Sequence, residues 1–240
     1  MRLGIFGGTF DPIHYGHLLL AECCREQRGL DAVWFLPAAV PPHKQDRELA
    51  PAPNRIEMLK LAIACNPAFS VCTYETDPGG VNYTVDTLTH INDEEPSREL
   101  FFLMGEDMFL DLPHWKQPER ICELALPVVV HRAGMAPLDF SCLSAVTTPQ
   151  RIENILRHQV EMPEIGLSSS DIRRRVAAGK SIRYYTPRAV EKYIETHKLY
   201  QVDLSIKTEE QIDIEDAQKI LAETEEWIPY EQIRKELGLE

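Results

Sequence analysis

The stretch GIFGGTFDPIHYGH, residues 4–17, joins a short apolar run to two glycines, an Asp-Pro pair and two histidines three positions apart. Arg2–Gly7 reads as a buried strand, and Gly16–Arg28 has helical spacing that stops at Gly29. A strand, a glycine turn and a helix in that order open a βα unit. Gly7 and Gly8 carry no Cβ, so a polyphosphate can approach the main chain closely, and Thr9 adds a hydroxyl. Backbone N–H groups of the turn and of the helix start can point at phosphate oxygens. The stretch has neither the GxxxxGK[ST] pattern of a P-loop nor the GxGxxG of a dinucleotide fold.

The rest of the chain repeats the alternation. Strands are expected at Ala32–Leu36, Phe69–Tyr74, Leu100–Met104 and Pro127–His131, with Leu143–Thr147 a further candidate. Helices are expected at Asn54–Cys65, N-capped by Asn54, at Thr84–Ile91, near Asp107–Leu110, at Pro118–Leu124, Ser169–Ala178 and Pro187–His197. This predicts an α/β protein with a doubly wound parallel sheet, which binds ligands at the carboxyl ends of its strands. The regions of Gly7, Gly105 and Arg132 all follow predicted strands and so can line one cleft. Residues 202–240 differ: they are acidic, helix-prone and broken at Trp227–Pro229. They are expected to form a short helical C-terminal extension to a domain of residues 1–201.

The chain has 240 residues and a formal net charge of -13, which argues against general binding of nucleic acid or anionic membranes. Its six cysteines show no CxxC pair and no zinc spacing, as expected of reduced thiols. No run of about 18 apolar residues occurs, and no signal segment is evident. The chain reads as soluble and cytoplasmic.

His14 and His17, at i and i+3 across a helix start, can share one face. Phosphate contact, metal binding and structural hydrogen bonding are the readings for the pair. Metal is the weaker, because no third ligand has a supporting spacing, although Asp11 is close in sequence. Ser168 and Ser169 open a helix, with Arg173 one turn on; a plain N-cap with a solvated arginine is the alternative. Trp115 reads as core packing or as a stacking surface, and flanking His114 and Lys116 favour the surface.

GGTFDPIHYGH resembles the nucleotidylyltransferase signature, with HYGH at 14–17 as its HxGH-type element. PPHK (41–44), NRIEMLKLAI (54–63), YTVDTL (83–88), MGEDMF (104–109), LPHWK (112–116), HRAG (131–134) and LSSSDIR (167–173) follow in family order. Over residues 1 to about 200 the chain is similar to the bacterial nicotinate mononucleotide adenylyltransferases. The resemblance implies a Rossmann-like fold and attack of the mononucleotide phosphate on the α-phosphate of ATP, giving deamido-NAD and pyrophosphate. It implies catalytic roles for His14, His17 and Arg173, and ATP contacts from Gly7, Gly8, Thr9, Phe10, Gly105, Asp107, Ser168, Ser169 and Ile172. Lys44, Tyr83, Thr84, Trp115 and Arg132 would bind nicotinate mononucleotide. Mg²⁺ would ride on the ATP phosphates, with no fixed protein ligand. Glu106 stands where the family usually has a small residue. Phosphopantetheine or cytidylyl transfer, or a non-catalytic nucleotide sensor, are the competing readings, and self-association is left open.

Overall fold

The computed structural model describes residues 1–38, 49–76, 82–132 and 138–201, with the side chain of Arg132 left out. Lys44 of the PPHK stretch and the extension at 202–240 lie outside these residues. Met1–Gln201 forms one compact unit.

Strand β1 (Arg2–Gly8) sits inside the sheet, paired in parallel with β2 (Ala32–Pro37) on one side and β4 (Glu99–Gly105) on the other. β3 (Phe69–Val71) lies outside β2, while β5 (Leu126–Arg132) and β6 (Val160–Met162) extend the other half. The order is β3-β2-β1-β4-β5-β6 and every pairing is parallel. Parallel strands are covered on both faces, which explains the unbroken apolar run Leu100–Met104, all of it buried. The chain winds outward from β1 to β3, then crosses back to β4. β1 and β4 therefore feed connections on opposite faces, leaving a crevice beyond their carboxyl ends.

The connecting helices are α1 (Tyr15–Arg28), α2 (Ala52–Ile63), α3 (Thr84–Glu94), α4 (Glu106–Asp111), α5 (Pro118–Leu124), α6 (Pro149–Arg157), α7 (Ser169–Ala177) and α8 (Arg188–Thr196). α1 ends at Gly29, whose φ of 59° suits a residue without Cβ; Leu30 N–H then donates to the Arg25 carbonyl. α2 starts before the predicted Asn54: Pro51 is its N-cap and Pro53 sits in the first turn, where a missing N–H costs nothing. β3 stops at Val71 rather than Tyr74, because Cys72 makes the last bond to Phe35 and the chain then turns.

Leu143–Thr147 is not a strand. A 3-10 turn at Phe140–Leu143 leads through further turns to Thr148, which caps α6 by accepting from Arg151 N–H. The edge position belongs to Val160–Met162 instead.

Four later side chains and one later carbonyl pin residues 11–15. Tyr200 and Arg173 hold Asp11, Ser169 Oγ donates to the Pro12 carbonyl at 2.9 Å, Thr186 Oγ1 donates to the Ile13 carbonyl at 2.7 Å, and Tyr15 N–H donates to the Tyr185 carbonyl.

Candidate active site

A cavity of about 420 Å³ opens at the carboxyl ends of β1, β2 and β4. Gly7, Gly8 and Thr9 form its edge toward β1, Tyr83 and Thr84 come from the start of α3, and Asp107, Asp111 and Trp115 from α4 and the turn after it. Trp115 is fixed on two sides. Its Nε1–H donates to Asp111 Oδ2 at 2.9 Å, and its ring meets Phe102 edge to face. Lys116 reaches Asp86 at 2.9 Å and lies 4.3 Å from the Tyr83 ring centroid. Tyr83 N-caps α3, so the N–H groups of the first turn, Thr84's among them, face the same wall.

His14, the N-cap of α1, and His17 occupy the other side of the Gly7–Thr9 turn. Their rings stack with centroids 3.7 Å apart. His14 N–H donates to His17 Nδ1 at 3.3 Å. The proton of a neutral His17 therefore sits on Nε2. Burial pushes His14 down to about 4. Burial, and then the neighbouring His14, hold His17 well below the usual histidine range. Both are neutral near pH 7 and act as N–H donors rather than cations. His14 Nδ1 is buried without a hydrogen-bond partner among the described residues. Gly16 is needed here: a Cβ on it would lie 3.0 Å from the His14 ring.

At the start of α7, Ser168 Oγ accepts the Asp171 N–H, a working N-cap. Arg173 reaches Asp11 through both its carbonyl and its carboxylate, and Ser170 Oγ at 3.1 Å. The structure thus gathers Gly7, Gly8, Thr9, Asp107, Tyr83, Thr84 and Trp115 around the cavity, and His14, His17, Ser168, Ser169 and Arg173 beside it. Gly105 ends β4, and a Cβ there would meet nothing within 4 Å.

Two residues expected at the nucleotide, Phe10 and Ile172, bury their side chains. Phe10 adopts φ 48° and turns its ring inward under Gly8, leaving it 2% exposed. Ile172 is fully buried on the inner face of α7. Only the main chain of either residue is available to a nucleotide. Gly8 also has a packing reason to be glycine, since a Cβ would lie 2.9 Å from the Phe10 ring.

Other site residues escaped the sequence reading. Asp11 is 1% exposed and ties three segments together. Arg55, equally buried, donates to the carbonyls of Thr9, Ala38 and Ala50 and so clamps the glycine turn. Its spacing was a signal: Arg55 precedes Met58, Leu59 and Ala62 on the apolar face of α2. Glu75 lines the cavity and accepts from Thr87 Oγ1 at 2.8 Å; burial pushes its carboxyl up. Glu106, the departure noted above, pairs with His131 at 2.8 Å. Among the described residues no three His, Cys, Asp or Glu side chains are grouped to hold a metal ion, and no helix is long and apolar enough to cross a membrane.

A cytidylyltransferase-like family model matches residues 5–175. A Thermomicrobium roseum protein named "Probable nicotinate-nucleotide adenylyltransferase" is 48% identical over 200 residues, 83% of this chain and 92% of the relative. A Thermus thermophilus protein of the same name is 47% identical over 201 residues, 84% of this chain and 100% of the relative. Among solved structures, Plasmodium falciparum nicotinic acid mononucleotide adenylyltransferase complexed with NaAD shares the fold. Its TM-score is 0.66 at 19% identity, covering 83% of this chain and 97% of that one. Identity near one residue in two, sustained across nearly the full length of these relatives, goes far beyond a shared fold: the chain belongs to the cytidylyltransferase-like family and, within it, to the nicotinate-nucleotide adenylyltransferases.

Proposed function

We propose that the crevice joins ATP to nicotinate mononucleotide, forming deamido-NAD and releasing pyrophosphate in NAD biosynthesis. One observation carries the reading. A cavity with an indole wall and a helix N-terminus adjoins, across the Gly7–Thr9 turn, a cluster of two neutral histidines, a capped helix start and an arginine. The first suits a flat anionic base and the second suits phosphates.

The nucleophile needs little activation, because a phosphate monoester with a second pKa of about 6 is mostly dianionic at pH 7. The protein's task is to align two anions and stabilise charge as it develops. His17 Nε2–H donates to the α-phosphate, with His14 alongside. The first-turn N–H groups of Ser169 and Ser170 and the Arg173 fork add donors. Ser169's hydroxyl is committed to Pro12, so its contribution is through the main chain. Asp107 contacts the ribose beside Gly105. Trp115 stacks on the pyridine ring, and N–H groups near Thr84 and Trp115 read its carboxylate. Lys44 and Arg132 take the mononucleotide phosphate side by family resemblance. Mg²⁺ arrives as part of the ATP substrate, held by phosphate oxygens and water. We place the enzyme in the cytoplasm and read residues 202–240 as an acidic helical extension outside the catalytic domain.

A carboxylate accepts at both oxygens, whereas an amide presents one NH₂ donor. Each buried donor left unpaired costs about 1–3 kcal/mol, so two mismatches and a lost charge amount to roughly 10³-fold. The test is kcat/KM, measured by pyrophosphate release, for the acid and amide mononucleotides at matched ATP and Mg²⁺. The acid is expected to win by about that factor, and His17→Ala is expected to lose about 10²–10³ in rate with unchanged circular dichroism. Equal use of both substrates overturns the substrate assignment, and near wild-type turnover in His17→Ala overturns the mechanism.

A further inference from the structure

Asp11 is a buried carboxylate with a different partner on each oxygen. Oδ1 accepts the Tyr200 hydroxyl at 2.6 Å and the Ala50 N–H at 3.3 Å. Oδ2 lies 3.4 Å from Nη1 of Arg173, which also donates to the Asp11 carbonyl. Asp11 thus holds one terminal nitrogen of the Arg173 guanidinium, and the other reaches Ser170 at the mouth of α7. What Asp11 offers the arginine depends on what occupies Oδ1. Tyr200 supplies a neutral donor there: burial first, and then Asp11 itself, push the phenol far above its ordinary range, so the proton stays on the tyrosine. Arg55 adds a second positive charge facing Asp11, and its Nε and Nη1 donate to three carbonyls.

We propose that Tyr200 is a positioning residue for adenylyl transfer: by filling Oδ1 of Asp11 it limits that carboxylate's hold on Arg173 and sets the guanidinium fork at the phosphate site. Without the hydroxyl, Asp11 has an unfilled lone pair in a buried site. Arg173, already on Oδ2, is a donor that can turn toward it, and moving inward withdraws its fork from the crevice. The inference rests on the reading that Arg173 meets the ATP phosphates. Tyr200 touches no substrate; it acts through Asp11 and Arg173.

Tyr200→Phe removes the hydroxyl and keeps the ring that packs against the core. The experiment compares Tyr200→Phe, Arg173→Ala and the double variant in the full chain, by steady-state pyrophosphate release and thermal melting. Arg173→Ala is expected to lower kcat about a hundredfold. Tyr200→Phe is expected to lower kcat about tenfold, with KM for nicotinate mononucleotide within about twofold of wild type. The double variant should be no slower than Arg173→Ala, since the tyrosine has nothing left to position. A wild-type kcat in Tyr200→Phe, even with a lowered melting temperature, overturns the proposal by reducing the hydroxyl to a structural role. Losses that multiply in the double variant also overturn it. Wild-type turnover in Arg173→Ala overturns the reading of Arg173 itself, a failure visible whatever Tyr200→Phe does.

Discussion

His14 and His17 show how burial selects a protonation state. With 3.7 Å between ring centroids, two imidazolium ions would repel strongly, and burial already disfavours one. The consequence for stability has a definite sign. His14 titrates near 6.5 in the unfolded chain and near 4 in the folded one. Above 6.5 both states are neutral and the stabilisation is complete. As pH falls from 6.5 toward 4, the unfolded chain takes the proton first and folding weakens. For His14 alone the loss is on the order of 3 kcal/mol, with His17 adding in the same direction. The urea midpoint should therefore drop between pH 6.5 and 4.5, and His14→Gln should flatten that dependence. An unchanged slope in the variant would remove His14 from the effect. The pair itself was legible from the HYGH spacing. Its neutrality was not, because that comes from packing against Phe6 and Phe10, which the motif does not report.

The short helix α4 and the 3-10 turn after it fix the Trp115 indole. Asp111 anchors Trp115 from the end of α4, and Phe102 of β4 meets its ring edge to face. Stacking on an aromatic ring contributes about 1–3 kcal/mol per base and does not sense the substituent. Trp115→Ala should raise KM for the mononucleotide by about 5- to 150-fold. The ratio of kcat/KM for acid over amide should stay within about threefold if, as proposed, the first turn of α3 reads the carboxylate. A collapse of that ratio would move the reading of the carboxylate onto Trp115. At this scale the sequence was informative where elements are long or sharply bounded. Pro118–Leu124 is observed where it was expected, and α7 and α8 within one residue at each end. It was silent on β6, because three residues carry no period to read. It misplaced the start of α2, because prolines that sit comfortably in a first turn look like loop residues in a string of letters. Glu106 looked like a flaw in a motif until β5 supplied His131 as its partner.

At the scale of the molecule, every family motif quoted above lies before residue 200. Removing residues 203–240 should leave adenylyl transfer within about twofold of the full chain, since no group invoked in catalysis is lost. A well-folded truncation with turnover reduced a hundredfold would bring the extension into the mechanism. The doubly wound parallel sheet, with a cleft at its strands' carboxyl ends, followed from the alternation of elements, because right-handed crossovers leave few topologies open. Asp11, Arg55 and Tyr200 stayed hidden because they are charged or polar groups inside a core, where composition alone never predicts them. The partners that complete Asp11 stand 162 and 189 residues further along the chain. On a ribosome the loop around Asp11 emerges long before Arg173 and Tyr200. The nascent protein therefore carries an early, unfinished loop through most of its synthesis. On the proposed reading, catalytic competence waits until the turn that carries Tyr200 has left the exit tunnel.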